Sequence, residues 1–493
     1  MVKKSIRIAV FGCGHGKLDD MYSSLDPSKG IMPPDLVIIN GDFQAIRNSL
    51  DLNSMSVPQK YRELGDFPKY YSGEKKAPYL TLVIGGNHEA SNYMSELSYG
   101  GWLAPNIYYL GLSNVIEFGG IRIGGWSGIY NYGSYLKGYM ESFPYNSNDI
   151  RSIYHTREFQ FHKLNHFTSP LDIFISHDWP NGITDYGNVN QLLRFKPFFK
   201  DDISRGRLGS PPSMDLLKSL RPKWWFGSHL HCRFTATVNH KPLESEQLGM
   251  SVNNEDEINL DELEPSANQS KLQVKNDDEI DLDGEDEVIN IPQVIKNEDE
   301  IDLDDENDEV IHIPQQINNS NVDEIDLDED SATEPRNAKR FKSPITTPKQ
   351  INTNQTTQFL ALDKCLPRRQ FMEIVEIPLT DPSTNTDQKL QLEYNLEWLA
   401  IVKAFNELTP TRPTQSKLRF KEKEIKEQIG RNFTTLEQAT KLGSFDKVIP
   451  QNFSQIAPTQ SNYSNAVSNG PVVYPNPQTS TYCDKLGILN KFL

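Results

Sequence analysis

Five short apolar runs in this 493-residue chain each end in a side chain able to bind a metal ion, and that repetition constrains the fold more than any other feature. Residues 6–11 lead into Gly12-Cys13-Gly14-His15-Gly16, and residues 35–39 into Asn40-Gly41-Asp42. Residues 79–84 lead into Gly85-Gly86-Asn87-His88-Glu89. Residues 171–175 lead into Ser176-His177-Asp178, and residues 224–226 into Gly227-Ser228-His229-Leu230-His231. Short β-branched and aromatic runs with glycines at their exits predict buried strands. Gathering ligands at the carboxyl ends of several strands is how an α/β sheet builds a site in its crevice. Half of the ten histidines lie at these exits. The fold class predicted for residues 1–243 is α/β, layered in the α+β manner.

Charge divides the chain sharply. The overall balance is −17, but residues 251–330 hold 29 acidic side chains against 3 lysines. The remainder carries 38 acids and 47 bases, a mildly basic body of the kind a nucleic-acid partner favours. Four cysteines (Cys13, Cys232, Cys365, Cys483) are too few for a disulfide framework in this length, which points to a reducing compartment. Lys3 and Lys4 precede an apolar stretch, but Arg7 interrupts it, so the start reads as a core strand rather than a signal peptide. No apolar run approaches the roughly 18–20 residues of a membrane span, so no membrane partner is expected.

Residues 244–355 read as a long disordered acidic insertion. The hexapeptide Asp278-Glu279-Ile280-Asp281-Leu282-Asp283 recurs in variant form from Asp256, Asp299 and Asp323. Each unit has too few aliphatic residues amid dense like charge to offset the ordering entropy. Such a segment suits a splicing-related protein partner or general repulsion of RNA. The basic cluster at residues 336–342 is a nuclear-import signal or a simple charge balance; nuclear residence, with cytoplasm as a second location, is the expectation. Residues 356–445 read as a smaller C-terminal domain packing on the first. It holds strands near 358–365 and 371–377, an amphipathic helix marked by Trp398, Ile401, Val402 and Phe405, and a charged helix at 418–428. Residues 446–493, rich in Asn, Gln, Ser and Pro, are expected to be mostly disordered.

Carboxylate, amide and imidazole hold hard or borderline divalent ions, and a thiolate favours the softer ones. Cys13, His15, Asp42, Asn87, His177, His229 and His231 supply seven such donors. Period two in an extended chain lets His229 and His231 face one cavity. Asp42, with two oxygens, is the natural bridge between two ions able to clamp an in-line phosphoryl displacement. His88, beside a ligand but not needed as one, is the candidate general acid. Any one of these residues alone has an ordinary structural reading; together at strand exits they do not. His162, His166, His240 and His312 read as ordinary.

Gly41-Asp42, Gly86-Asn87-His88-Glu89 and Ser228-His229-Leu230-His231 resemble the calcineurin-like metallophosphoesterases. Gly12-Cys13-Gly14-His15-Gly16, with cysteine in place of the usual aspartate, resembles the RNA lariat debranching enzymes. So do Ser176-His177-Asp178-Trp179-Pro180 and Phe359-Leu360-Ala361-Leu362-Asp363-Lys364-Cys365. The resemblance, over about residues 5–240 and 358–405, implies a β-sandwich flanked by helices. It implies two metal pockets: Cys13, His15, Asp42 and His231 for one, and Asp42, Asn87, His177 and His229 for the other. One or two divalent ions per chain, Fe, Zn or Mn, are expected. The implied reaction is hydrolysis of the 2′-5′ phosphodiester at the branch point of an excised intron lariat, by metal-hydroxide attack with His88 as acid. Branched RNA is the implied partner; a DNA nuclease or a protein phosphatase is the alternative. About residues 129–158 correspond to the family's lariat recognition loop, and Tyr132, Tyr139, His155 and Arg157 are its candidate RNA contacts, each with ordinary loop packing as the other reading. Arg47 is a candidate phosphate contact, with a surface salt bridge as its alternative.

Overall fold

The computed structural model describes residues 5–241, 354–379, 390–410, 421–462 and 474–492. The acidic insertion and the basic cluster lie outside the described residues. Thirteen described strands run in chain order: β1 (Ser5–Phe11), β2 (Leu36–Ile39), β3 (Thr81–Val83), β4 (Gly101–Ala104), β5 (Ile107–Tyr109), β6 (Ser113–Phe118), β7 (Ile121–Trp126), β8 (Ile173–Ser176), β9 (Trp224–Gly227), β10 (Phe234–Asn239), β11 (Thr356–Ala361), β12 (Met372–Pro378) and β13 (Leu392–Tyr394). They form a six-stranded sheet, β12-β1-β2-β3-β5-β4, and a seven-stranded sheet, β10-β11-β9-β8-β7-β6-β13.

Each sheet has a parallel centre, β1-β2-β3-β5 in one and β7-β8-β9-β11 in the other, with antiparallel strands outside it. Parallel strands are covered on both faces, which is why β2 and β8 are buried at every position. Alternation along β1 sorts the two faces. Ile6, Ile8 and Val10 join Leu36, Ile38, Ile173, Ile175 and Phe226 in the core between the sheets. Ala9 and Phe11 join Val37, Ile39, Leu18, Met21 and Tyr93 in a second core under the flanking helices. The architecture is a layered α/β sandwich, and the five predicted runs contain β1, β2, β3, β8 and β9, with ends shifted by a residue or two.

The domain expectation changes at the C-terminal side. β11 lies between β9 and β10 in one sheet, and β12 pairs with β1 along all seven of its residues in the other. Residues 356–378 are therefore strands of the sandwich itself, completing ladders whose N–H and C=O groups would otherwise lie open at an edge. The smaller helical part is built from Leu396–Phe405, Glu422–Lys441 and Pro477–Leu486. Leu396–Phe405 buries Trp398, Ile401, Val402 and Phe405 as its spacing predicts. The charged helix begins at Glu422 and runs to Lys441, well past residue 428. The expectation of a mostly disordered tail is overturned for its described residues: Ile449, Ala457, Tyr482, Cys483 and Leu486 are buried. A few well-spaced apolar anchors outweigh the polar composition. Among the described residues, no helix is long and apolar enough to cross a membrane.

Candidate metal centre

The strand exits converge on one cleft of about 340 Å3. At the exits of β1, β2 and β9 the backbone leaves the sheet through left-handed turns. His15, Asp42, His229 and His231 have φ of 42°, 47°, 63° and 47°. Non-glycine residues seldom adopt this region, and those that do cluster at functional sites. This changes the reason His229 and His231 share a cavity. β9 ends at Gly227, so the two rings are aimed by two left-handed residues on either side of Leu230 and not by strand alternation. Gly41, at φ 96°, sits where a Cβ would strike the His177 ring, and a Cβ on Gly86 would strike the Asp42 carboxylate. The bare backbone lets the two loops close on the acid.

Cys13, His15, Asp42 and His231 bring one donor atom each within 4.8 Å of one another. His15 Nε2 lies 3.1 Å from His231 Nε2 and 3.6 Å from Asp42 Oδ2. On the other side of the carboxylate, His177 Nε2 lies 3.4 Å from Asp42 Oδ1 and 3.2 Å from Asn87 Oδ1. The His229 ring centre is 5.1 Å from that of His177, and its backbone N–H donates to Cys13 Sγ at 3.2 Å. The His177 Nδ1 is 2.7 Å from the Asn40 carbonyl, which turns Nε2 toward Asp42.

The donor set fits divalent ions. Burial lowers the pKa of His15 to about 4 and of His229 to about 3, and pulls His231 well down, so these rings are neutral and their lone pairs available near pH 7. Burial raises the Asp42 pKa, but the neighbouring His177 and His88 more than offset it and the acid stays ionised. His177 is the exception among the rings: burial lowers it, but the Asp42 carboxylate, the Asn40 carbonyl and the Glu89 charge together raise it above the ordinary value. Burial and Asp42 push the Cys13 thiol well up, and a metal ion is what converts such a thiol to thiolate. Asp42 Oδ2 and His231 Nδ1 are buried without a hydrogen-bond partner, as donors awaiting a cation would be.

His88 stands beside this group. Its backbone N–H donates to Asp42 Oδ1 at 2.9 Å, its Nδ1 meets the Ser56 carbonyl at 2.9 Å, and its Nε2 meets Asn87 Nδ2 at 3.1 Å. Sequence reasoning missed what Glu89 does. Its buried carboxylate accepts N–H bonds from Phe43, Gln44 and Gly86 at 2.8, 2.8 and 2.9 Å, tying the Asp42 loop to the Asn87 loop. It also missed Lys17, Tyr61 and Lys364, which line the cleft. No periodicity marks them: Lys17 and Lys364 lie outside helices and strands, and Tyr61 ends a three-residue helical turn too short to carry a pattern.

The candidate RNA contacts fall elsewhere. The expectation that Arg47 meets phosphate is overturned: it is fully buried, with Nε 2.9 Å from Asp51 and Nη1 3.0 Å from Glu96. Arg157 is likewise buried, its Nη2 2.6 Å from Glu141, so its charge is already answered. His155 is buried with Nδ1 at 3.0 Å from Ser134 Oγ, and the Tyr139 hydroxyl accepts from Gln160 at 2.7 Å. Tyr139, His155 and Arg157 line a separate cavity of about 550 Å3. Tyr132 is exposed but does not line the metal cleft.

Residues 6–233 match the calcineurin-like phosphoesterase family, and residues 354–491 match the lariat debranching enzyme C-terminal domain. The chain is 38% identical to the lariat debranching enzyme of Schizosaccharomyces pombe, over 98% of its own length and 96% of that protein's. It is 41% identical to the lariat debranching enzyme of Drosophila melanogaster, over 98% of this chain and 78% of the relative. Against the lariat debranching enzyme of Homo sapiens the identity is 35%, over 98% and 70%. A sandwich with this crevice, matched across both of its sequence segments, belongs to the lariat debranching enzyme family.

Proposed function

We propose that the metal cleft hydrolyses the 2′-5′ phosphodiester at the branch point of a lariat RNA, giving a linear RNA with its 2′ hydroxyl restored. The observation that carries this reading is Asp42, whose two buried oxygens join the Cys13–His15–His231 group to the His177–Asn87–His229 group in one crevice. The named activity of relatives aligned over 98% of the chain supplies the substrate. When bound, divalent ions in the two pockets supply Lewis acidity to the phosphate and lower the pKa of water beside it. A thiolate in the donor set argues against a simple pair of Mg ions and leaves Fe, Zn and Mn as the candidates.

The chain's own groups do the rest. Three neutral imidazoles, the thiol and the shared carboxylate hold the positive charge that a phosphodiester meets. The Ser56 carbonyl holds His88 Nδ1, so Nε2 is the nitrogen that takes up a proton and passes it on, exchanging its contact with the Asn87 amide for the leaving oxygen. Water oxygen bonds to phosphorus and gives up one proton to solvent, the bond from phosphorus to the 2′ oxygen breaks to leave a phosphate monoester, and the His88 proton goes to that oxygen, His88 taking a proton back from solvent. His88→Ala therefore lowers kcat by about 10²–10⁴-fold with metal content and RNA affinity retained. Metal analysis and single-turnover cleavage of branched RNA check this, and loss of metal with activity would remove His88 from the role. Linear DNA and a phosphopeptide, assayed alongside, separate the debranching reading from a nuclease or a phosphatase.

The same reading implies nuclear residence, supported by the basic cluster at residues 336–342, and imaging of a tagged chain tests it. The acidic insertion suits a splicing-related protein partner, and co-purification with and without residues 244–355 tests that.

A further inference from the structure

Eleven large apolar or aromatic side chains are exposed among the described residues, and two of them, Tyr61 and Leu366, line the metal cleft. They come from different segments of the cleft wall: Tyr61 from 57–63, Leu366 from 364–366. Exposed apolar groups beside a highly charged centre lose solvation free energy unless something planar or apolar covers them. Tyr61 is also held ready. It closes the helical turn Gln59–Tyr61, its N–H donates to the Pro58 carbonyl at 2.9 Å, and Arg62 Nε donates to the Val57 carbonyl at 2.7 Å. Lys60 Nζ sits 4.4 Å from its ring centre, and Tyr61 is 42% exposed.

We infer that Tyr61 and Leu366 clamp the unpaired base of the branch-point nucleotide while its phosphodiester sits against the metal ligands. This rests on the debranching reading and adds what selects the branch. The cleft also carries Lys17 and Lys364, which line it together with His15 and His231. Glu63 and Asp66 line the same cleft, so attraction for phosphate comes from the metal pockets and these two lysines and not from a general basic surface. At 340 Å3 the cleft is at the small end of ligand sites, roughly 300–1,000 Å3, and takes one nucleotide and not a duplex. In a duplex both faces of a base are already stacked, so only a base at a junction or in a single strand can enter the clamp.

The test is a cycle between the protein and the substrate, on metal-loaded full-length chain. Tyr61→Ala raises KM for branched RNA about 10-fold, the low end of base–aromatic stacking, while kcat moves far less; Tyr61→Phe keeps the wild-type KM. With an abasic branch-point residue, wild type and Tyr61→Ala have the same KM. A 2-aminopurine at the branch point is quenched on binding wild type and Tyr61→Phe but not Tyr61→Ala. Equal KM for wild type and Tyr61→Ala on the intact branch, a drop confined to kcat, or an effect that persists on the abasic substrate overturns the clamp and leaves the debranching reading standing. Failure of the wild-type chain to cleave branched RNA at all removes both.

Discussion

In the metal cleft, Asp42 Oδ2 and His231 Nδ1 are buried without partners, and two imidazole nitrogens approach to 3.1 Å. In the wall formed by residues 129–158, His155 Nε2, Thr156 Oγ1 and Arg157 Nε also lack hydrogen-bond partners, but the buried cations there and at Arg47 have counter-charges: Arg157 has Glu141, and Arg47 has Asp51 and Glu96. The same loop serves both regions, since Asn87 and His88 line the cleft while Gly86 and Glu89 line the larger cavity. The difference shows that residue type alone does not separate a binding group from a structural one. The separation lies in whether the charge is already answered. An unanswered buried acceptor has to meet a cation or a proton, whereas an answered one is part of the frame.

The largest effect that probes this contrast is expected at Arg47. Arg47→Met leaves Asp51 and Glu96 buried without their cation, and breaking such a pair costs about 3–5 kcal/mol. Thermal or denaturant unfolding of the metal-free chain reads that loss. KM for branched RNA in the folded fraction stays at the wild-type value. A raised KM with unchanged stability would return Arg47 to the substrate side of the comparison.

The sequence made the two regions unequally legible. The seven donors were readable because cysteine, histidine, aspartate and asparagine at glycine-rich strand exits are a rare chemical set, and their chain order matches the strand order of a crevice. The left-handed backbone at His15, Asp42, His229 and His231 was not readable, because nothing local distinguishes a non-glycine residue forced into that region by its surroundings. The pairing of β12 with β1 spans more than 350 positions of chain, beyond any local pattern. Arg47 did carry a local hint, since Asp51 stands four residues on, but Glu96 joins only through the fold. The tail misled by composition: its Asn, Gln and Ser content hides the spacing of Ile449, Ala457, Tyr482 and Leu486.

Glu89 stands on the boundary between the two regions and sharpens the contrast. Its carboxylate is answered entirely by backbone N–H groups of Phe43, Gln44 and Gly86, and it touches no donor of the metal group through its side chain. Glu89→Gln puts an amide N–H against an N–H it used to accept, so the Asp42 and Asn87 loops drift apart. Support of this kind is worth about 10–100-fold in metal affinity or activity. Competition with a chelator measures the affinity directly. Unchanged metal affinity in a folded Glu89→Gln chain would mean that the two loops hold their spacing without it.

The last effect concerns a buried cation just beyond the 129–158 segment, Lys163, which has no carboxylate ion pair among the described residues. Lys163 lies between Phe159 and Trp398, its Nζ 5.7 and 5.0 Å from their ring centres, and donates to Gln160 Oε1 at 3.1 Å. Burial lowers its pKa to about 7. Above about pH 7 the folded chain therefore holds Lys163 neutral, while the unfolded chain keeps the proton up to about pH 10.5. The unfolded state binds more protons throughout that window, so this residue makes stability rise with pH from 7 to 10.5 and costs most at and below pH 7. Lys163→Met removes that slope and stabilises the chain near neutrality, with the gap closing toward pH 10.5. Unfolding midpoints of both chains across that range test it. A gap that stays constant across that range would show that the ammonium is held charged by the two rings and belongs with the answered charges of the frame.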